Sequence, residues 1–293
     1  MTEDDKKSRS IGAALLVATA LGWGLNWPGM KLLIREWPPL MSRGVAGLVA
    51  AALLAVIAAR KGEALRFPPA AAPRLAAAAF TNVFAWMGFS TLAMQWLSVA
   101  EGALLVYTMP VWATLLAWPL LGQRPNLRAL AGLAMALARV GLLLGGRGGA
   151  PDPGKTAGVA LALGAAFLFA LGATLNRQPL PLGAFAGVAW QVGLGSLPMI
   201  VTGLFIEDLT LARVTPVGWA VLAYMTVVPM ALCYLTWFAA LRRLPPAAAA
   251  TGMLITPLIG VTAGAVILGE AFGAREIVAV ALTLSGVALA LRR

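Results

Sequence analysis

The sequence predicts an all-α polytopic membrane protein, with ten transmembrane helices arranged as two inverted five-helix repeats. Three observations predict it. The 293 residues are 60% hydrophobic and only 11% charged, whereas a soluble domain carries about 25% charged residues. Apolar runs recur along the whole chain, near the ~17–25 residues that cross a bilayer as a helix. Finally, the two halves echo each other. A shift of 147 positions superimposes Leu97 on Leu244, Ala100 on Ala247, Ala103 on Ala250, Pro110 on Pro257, Leu121 on Leu268 and Gly122 on Gly269. A β-barrel would show short segments of alternating polarity, and none is visible.

Residues 1–9 read as a short charged tail, followed by ten spans at 11–34, 40–60, 73–97, 101–121, 128–146, 157–177, 183–206, 216–240, 247–268 and 275–292. The Gly/Pro-rich stretch Gly145–Gly154 sits at mid-chain and divides the spans into two halves, 1–147 and 154–293. Five is an odd number, so the second half inserts upside down relative to the first. Inverted repeats are a recurrent transporter plan, with the substrate site near the midplane between the halves.

The first spans also correspond: at a shift of 146, Trp23 meets Phe169 and Lys31 meets Arg177, and early in the second spans Arg43 corresponds to Gln191. Orientation follows from Lys and Arg in the connections. With the N-terminus inside, fourteen basic residues fall on the cytoplasmic side and six on the other, while Arg43 and Arg139 lie within spans. Both termini are therefore expected in the cytoplasm.

Composition also excludes function classes. The formal charge is +11, but the basic residues are scattered between apolar runs, which fits topology and not nucleic acid. The chain has one cysteine, Cys233, and no histidine, so no disulfide framework and no Cys/His metal site is expected. No carboxylate sits in mid-span, no triad histidine exists and no Walker motif is present. Neither catalytic residues nor a cofactor are expected, and the chain is not read as an enzyme. Proton or sodium coupling usually relies on buried acidic groups, which are missing.

Candidate substrate-binding residues are the mid-span aromatics and amides. Buried Trp and Tyr need a hydrogen-bond partner that lipid cannot supply. Thr19, Trp23 and Asn26 share one helical face, as do Asn82, Trp86 and Ser90, and Tyr107, Pro110 and Thr114. Trp112 and Trp190 also lie deep, and Thr251 marks a milder face on the ninth span. Such stripes suit a pocket for a small amphipathic solute; helix–helix adhesion by Asn and Thr is the competing reading. Trp37, Trp96, Trp118 and Trp219 suit the membrane interface.

Prolines inside spans tend to kink them, and Pro110 with Pro257 form an equivalent pair of expected hinges. Arg43, nearer a helix end, is expected to reach the interface by its aliphatic stem. Arg139 lies deeper, and Glu101 is expected to cap the fourth span.

The ten spans, Gly22-Trp23-Gly24-Leu25-Asn26-Trp27, the Arg43 position, Ala100 through Pro110, and the closing Leu121-Gly122-Gln123-Arg124 and Leu268-Gly269-Glu270 together resemble the drug/metabolite transporter superfamily, EamA type. Gln123 departs from the acidic residue usual after Leu-Gly. Tyr107-Thr108-Met109-Pro110-Val111-Trp112 is most similar to the YddG-type exporters of aromatic and other hydrophobic amino acids. That resemblance implies that Tyr107, Met109, Trp86, Phe169 and Thr251 line the cavity. It also implies a multi-pass protein of the bacterial inner membrane whose partners are amino acids and lipid, with a monomer sufficient for the task. Export of drugs, cations or other small metabolites stays open as the alternative.

Overall fold

A computed structural model describes residues 3–124, 153–176, 180–210, 214–245 and 252–274, with isolated positions between and after them. Among the described residues every regular element is helical. Seven helices are long and apolar enough to cross a membrane, and a shorter apolar helix joins them. In chain order they are α1 (Glu3–Leu33), α2 (Pro39–Arg60), α3 (Pro69–Ala93), α4 (Val99–Leu121), α5 (Pro153–Leu175), α6 (Ala184–Ile206), α7 (Pro216–Leu241) and α8 (Ile255–Leu268). The expected spans 128–146 and 275–292, and with them Arg139, lie largely outside the described residues.

The charged tail is not a tail. α1 begins at Glu3 and runs 31 residues, about 46 Å at the α-helical rise. That exceeds the ~30 Å hydrocarbon thickness, so its polar first turns project beyond the apolar region instead of unravelling. Only Ile11 onward reads as apolar because the sequence pattern reports solvent, not backbone.

Two helices carry π-helical stretches, Phe80–Phe89 in α3 and Val228–Leu232 in α7. The shift of 147 residues takes 81–85 onto 228–232, so the widened turns are equivalent. In α7 the cause is Pro229, which has no N–H to continue the ladder. In each case a threonine hydroxyl at the entry takes the carbonyl four residues back: Thr81 on Ala77 and Thr226 on Leu222, both at 2.8 Å. α4 is broken outright, into Val99–Val106 and Met109–Leu121, by a turn at Tyr107 and Thr108. Pro110 therefore does not bend a continuous helix but opens a new one, where its missing N–H costs nothing. α8 likewise starts after a turn at Met253 and Leu254, with Pro257 in its first turn. Both helices end on a left-handed glycine, Gly122 and Gly269, each at φ 69°, a conformation glycine adopts without the Cβ penalty.

The packing repeats with the sequence. The most extensive pairing is α2 against α6, drawn close by Gly44 and Gly47, where an added Cβ would strike Ile200 and Ser196. α1 packs on α7 and α8, while α5 packs on α3 and α4. Each opening helix thus sits against the other segment's later helices. α5 also starts where α1 finishes: Lys155 of α5 pairs with Glu101 of α4 at 2.6 Å, at the same end as Lys31, whose ammonium donates to Met94 O and Leu97 O at 2.5 and 2.7 Å.

Carboxylates tie the two segments together at helix N-termini. α2 opens on Pro38 and α6 on Gly183, neither of which can cap with a side chain. The caps come from across the molecule. Glu207 accepts from Leu40 N and Met41 N at 2.7 and 2.9 Å, and Glu63 accepts from Ala186 N at 2.8 Å. Glu36 accepts from Thr215 N at 2.7 Å at the start of α7, and Glu270 from Val99 N at 2.8 Å at the start of α4. Glu101 closes a capping box with Ser98 on the same helix. Each carboxylate meets orphan N–H groups and the positive end of a helix dipole.

Two outcomes follow from these caps. Glu207→Ala should cost about 1–3 kcal/mol, the range for charged hydrogen bonds to backbone N–H, seen as a lower melting midpoint in detergent with Glu207→Gln intermediate. Burial raises the Glu270 carboxyl above its ordinary 4.5, against the opposing pull of Val99 N–H and Lys31. A raised carboxyl binds its proton more tightly folded than unfolded, so its contribution to stability is full below pH 4.5 and declines as pH rises through the raised value. Melting curves across that range should slope less in Glu270→Gln than in the wild type; an unchanged slope would assign the effect elsewhere.

Candidate functional site

The site is built from one turn of α1. Glycines at 22 and 24 let neighbours approach: an added Cβ at Gly22 would strike the Cys233 sulfur, and one at Gly24 would strike Ile259. Around these glycines Trp23 and Trp27 meet different neighbours. Trp23 donates its indole N–H to Pro229 O at 2.9 Å. That carbonyl lies in the π-helical stretch of α7, where the ladder is disturbed, so the indole supplies a donor that lipid could not. The Trp23 ring meets Tyr234 edge-on at 5.6 Å and Trp237 at 5.9 Å. Trp27, 2% exposed, faces Tyr107 at 6.1 Å, and Tyr107 in turn lies beside Thr256 of α8. Asn26 is half-buried, and its Oδ1 has no hydrogen-bond partner.

A second group forms between α3, α5 and α6. Trp86 and Phe169 lie 4.7 Å apart. Asn82 donates Nδ2–H to Gln191 Oε1 at 3.2 Å, and an added Cβ at Gly172 would strike Thr81 and Asn82. Trp86 and Tyr107 both pack against the core cluster that contains Trp27. Because residues 80–89 are π-helical, the face shared by Asn82, Trp86 and Ser90 in an ideal α-helix is spread. Asn82 reaches both Gly172 of α5 and Gln191 of α6, Trp86 faces Phe169 of α5, and Ser90 bonds its own helix at Met87 O.

The structure therefore forms two groups, Trp23 against Tyr234 and Trp237 of α7 with Trp27 against Tyr107, and Trp86, Phe169, Asn82 and Gln191 between α3, α5 and α6, with Trp86 and Tyr107 packed against one core cluster. Met109 and Pro110 open the second segment of α4, both half-buried. Trp112 sits farther out: its N–H donates to Thr108 Oγ1 at 3.2 Å and its ring meets the exposed Phe167 at 5.6 Å. Trp190 is not brought to the others. Its N–H donates to Leu65 O at 2.7 Å, in the connection between α2 and α3, and its ring meets Phe67. Thr251 lies outside the described residues.

Four residues missed as site candidates in the sequence join the group: Trp27, Arg43, Gln191 and Tyr234. Arg43 does not reach the interface. It is 2% exposed, within electrostatic reach of Tyr234, and neither its Nε nor its Nη1 has a hydrogen-bond partner. The signal was present in the repeat, where Arg43 and Gln191 occupy corresponding positions in apolar runs. Trp37, in the turn between α1 and α2, is buried, donates to Gly218 O at 3.1 Å and meets Trp219 edge-on at 4.6 Å at the start of α7. A separate apolar cleft of about 550 Å³ between α1 and α7, lined by Pro28, Val217, Tyr224 and Ile267 among others, contains none of the predicted site residues. Among the described residues no group of His, Cys, Asp and Glu could hold a metal ion.

Three comparisons bear on this arrangement. A Bacillus subtilis protein described as the uncharacterized transporter YvbV is 26% identical over 260 residues, covering 88% of this chain and 84% of its own. A Salmonella typhimurium protein described as a probable amino-acid metabolite efflux pump is 27% identical over 290 residues, covering 95% and 94%. One solved crystal structure superposes with a TM-score of 0.66 over 96% of both chains at 20% identity, which shows a common fold. The model of the EamA-like transporter family matches twice, at residues 10–145 and 156–292. The repeated helical packing and the two matched segments lead to one conclusion: this membrane protein belongs to the EamA-like transporter family.

Proposed function

We propose that this transporter exports neutral amino acids, aromatic and other hydrophobic ones, across the bacterial inner membrane. It works by alternating access between two inverted five-helix halves, 1–147 and 154–293, with both termini in the cytoplasm. The observation that carries the reading is the set of aromatic pairs, Trp86–Phe169 at 4.7 Å, Trp23–Tyr234 at 5.6 Å and Trp27–Tyr107 at 6.1 Å, interleaved with the amides of Asn26 and Asn82. Rings stack on an apolar side chain, and amides hydrogen-bond an ammonium or a carboxylate. The amino-acid metabolite efflux described for the Salmonella relative supports the same substrate class. A permanent cation would prefer an aromatic cage or a carboxylate; the rings offer the first, but the buried guanidinium of Arg43 would oppose it.

The cycle follows from the packing. The caps from Glu36, Glu207 and Glu270 and the Glu101–Lys155 pair hold one end of the bundle together, the end assigned outside by the distribution of basic residues. Release of those caps, with the broken α4 and α8 turning at Pro110 and Pro257, would open that end while the opposite end closes. No carboxylate lies in the middle of a described apolar span, Glu101 standing in the first turn of α4, so transport runs down the solute's own gradient without a coupling ion. Thr251, opposite Tyr107 in the repeat, is proposed as a further lining residue.

Counterflow of labelled phenylalanine, tryptophan and leucine into proteoliposomes, with and without an imposed pH gradient, tests this directly. Flux should exceed the empty-vesicle level and be indifferent to the pH gradient. Trp86→Ala and Tyr107→Ala should each lower flux by about tenfold or more, the equivalent of ~1.4 kcal/mol of lost contact, while remaining inserted and monodisperse. Background flux for every neutral amino acid would overturn the assignment.

A further inference from the structure

We propose that Arg43 is the carboxylate anchor of the transport site, so that a transported solute must carry an anionic group; the proposal rests on the transport reading above. The charge has no other visible purpose. α2 meets α6 through Gly44 and Gly47, and Arg43 stands one residue before that seam, within electrostatic reach of Tyr234 of α7. It is 2% exposed, with Nε and Nη1 buried and unpartnered. A guanidinium taken out of water without partners is costly and must be compensated by an anion or by carbonyls.

The protein does not supply that compensation among its described residues. Glu36, Glu63, Glu207 and Glu270 are engaged at the N-termini of α7, α6, α2 and α4. Glu101 is bound to Ser98 and Lys155, and Asp208 accepts from Thr210. Lys31 shows how this fold satisfies a cation it keeps for structure, by giving it the carbonyls of Met94 and Leu97. Arg43 has been given nothing comparable.

The planar fork of a guanidinium matches a carboxylate in a bidentate manner. Tyr234, within electrostatic reach of Arg43, meets Trp23, and Asn26 stands one helical turn further along α1 with its Oδ1 unpartnered. An acceptor without a donor and a cation without an anion complement the ammonium and carboxylate of an amino-acid backbone. The carboxylate is the specificity element: an amine, an alcohol or an ester of the same side chain leaves the guanidinium unpaired and is rejected.

The test separates this proposal from the amino-acid reading. Protein in nanodiscs is titrated with 3-phenylpropanoate, 3-phenylpropan-1-ol and phenethylamine, and quenching of the tryptophan fluorescence is read against empty nanodiscs. The wild type should bind the carboxylate in preference to the other two. Arg43→Gln should lose about ten- to a hundredfold in affinity for it, with Arg43→Lys between them. Arg43→Gln should also melt no lower than the wild type, since it removes an unpaired buried charge; a merely structural arginine would give the opposite shift. Should Arg43→Gln fail to fold, the acid-over-alcohol preference of the wild type and its reduction in Arg43→Lys decide the matter. No preference in the wild type, or unchanged binding in the variants, overturns the anchor. Carboxylate binding that depends on Arg43, with background flux for all amino acids, would sustain the anchor and sink the substrate assignment; amino-acid flux that is indifferent to Arg43 would do the reverse.

Discussion

The bond on which the rest of this structure depends runs from a loop carboxylate to the N-terminus of a helix in the other matched segment. Inside a bilayer the two segments have little hydrophobic reason to stay together, because lipid tails are as apolar as leucine. Glu36, Glu63, Glu207 and Glu270 replace that missing force at the ends of the bundle. Each sits where water gives way to lipid, so each N–H it accepts would otherwise lose its partner. α2 and α6 show the dependence most clearly, since Pro38 and Gly183 leave them without caps of their own.

Such bonds hold without fusing the segments. They are few, lie at the ends and involve groups that water can also satisfy. Between the ends the segments meet through small residues, most closely where Gly44 and Gly47 of α2 approach α6. The interlock of α1 with α7 and α8, and of α5 with α3 and α4, spreads each opening helix across the other segment. The polar interior follows from this arrangement. Trp23 can serve the disturbed carbonyl of Pro229 only because α1 lies against α7, and Asn82 meets Gln191 only because α3 lies against α6.

The fold class was legible, and much of the candidate site with it. Apolar runs of helical length reveal membrane helices because the bilayer requires every backbone polar group to be satisfied within its own segment. The echo of Pro110 in Pro257 marked two helix starts, although as breaks before the proline and not as kinks at it. Trp23, Trp86 and Tyr107 stood out because an indole or a phenol in an apolar run needs a partner. Helical spacing brought Asn82 and Trp86 to α5, while Ser90, one π-widened stretch further on, bonds its own helix instead. Trp190 was deep in sequence but turned to Leu65 O, since its neighbour was a loop from another span.

What the sequence determined by itself was local: which of the described stretches are apolar helices, which glycines end them, and that the plan occurs twice. These follow from hydropathy, proline and glycine, whose effects reach only one or two turns. Tertiary structure alone decided which charges are satisfied. Lys31, Arg43 and Glu270 all read as residues near span ends. The fold gave Lys31 two carbonyls and Glu270 a helix N-terminus, and left Arg43 buried with no carboxylate paired to it among the described residues. That outcome depends on contacts between residues far apart in the chain, which no local pattern records.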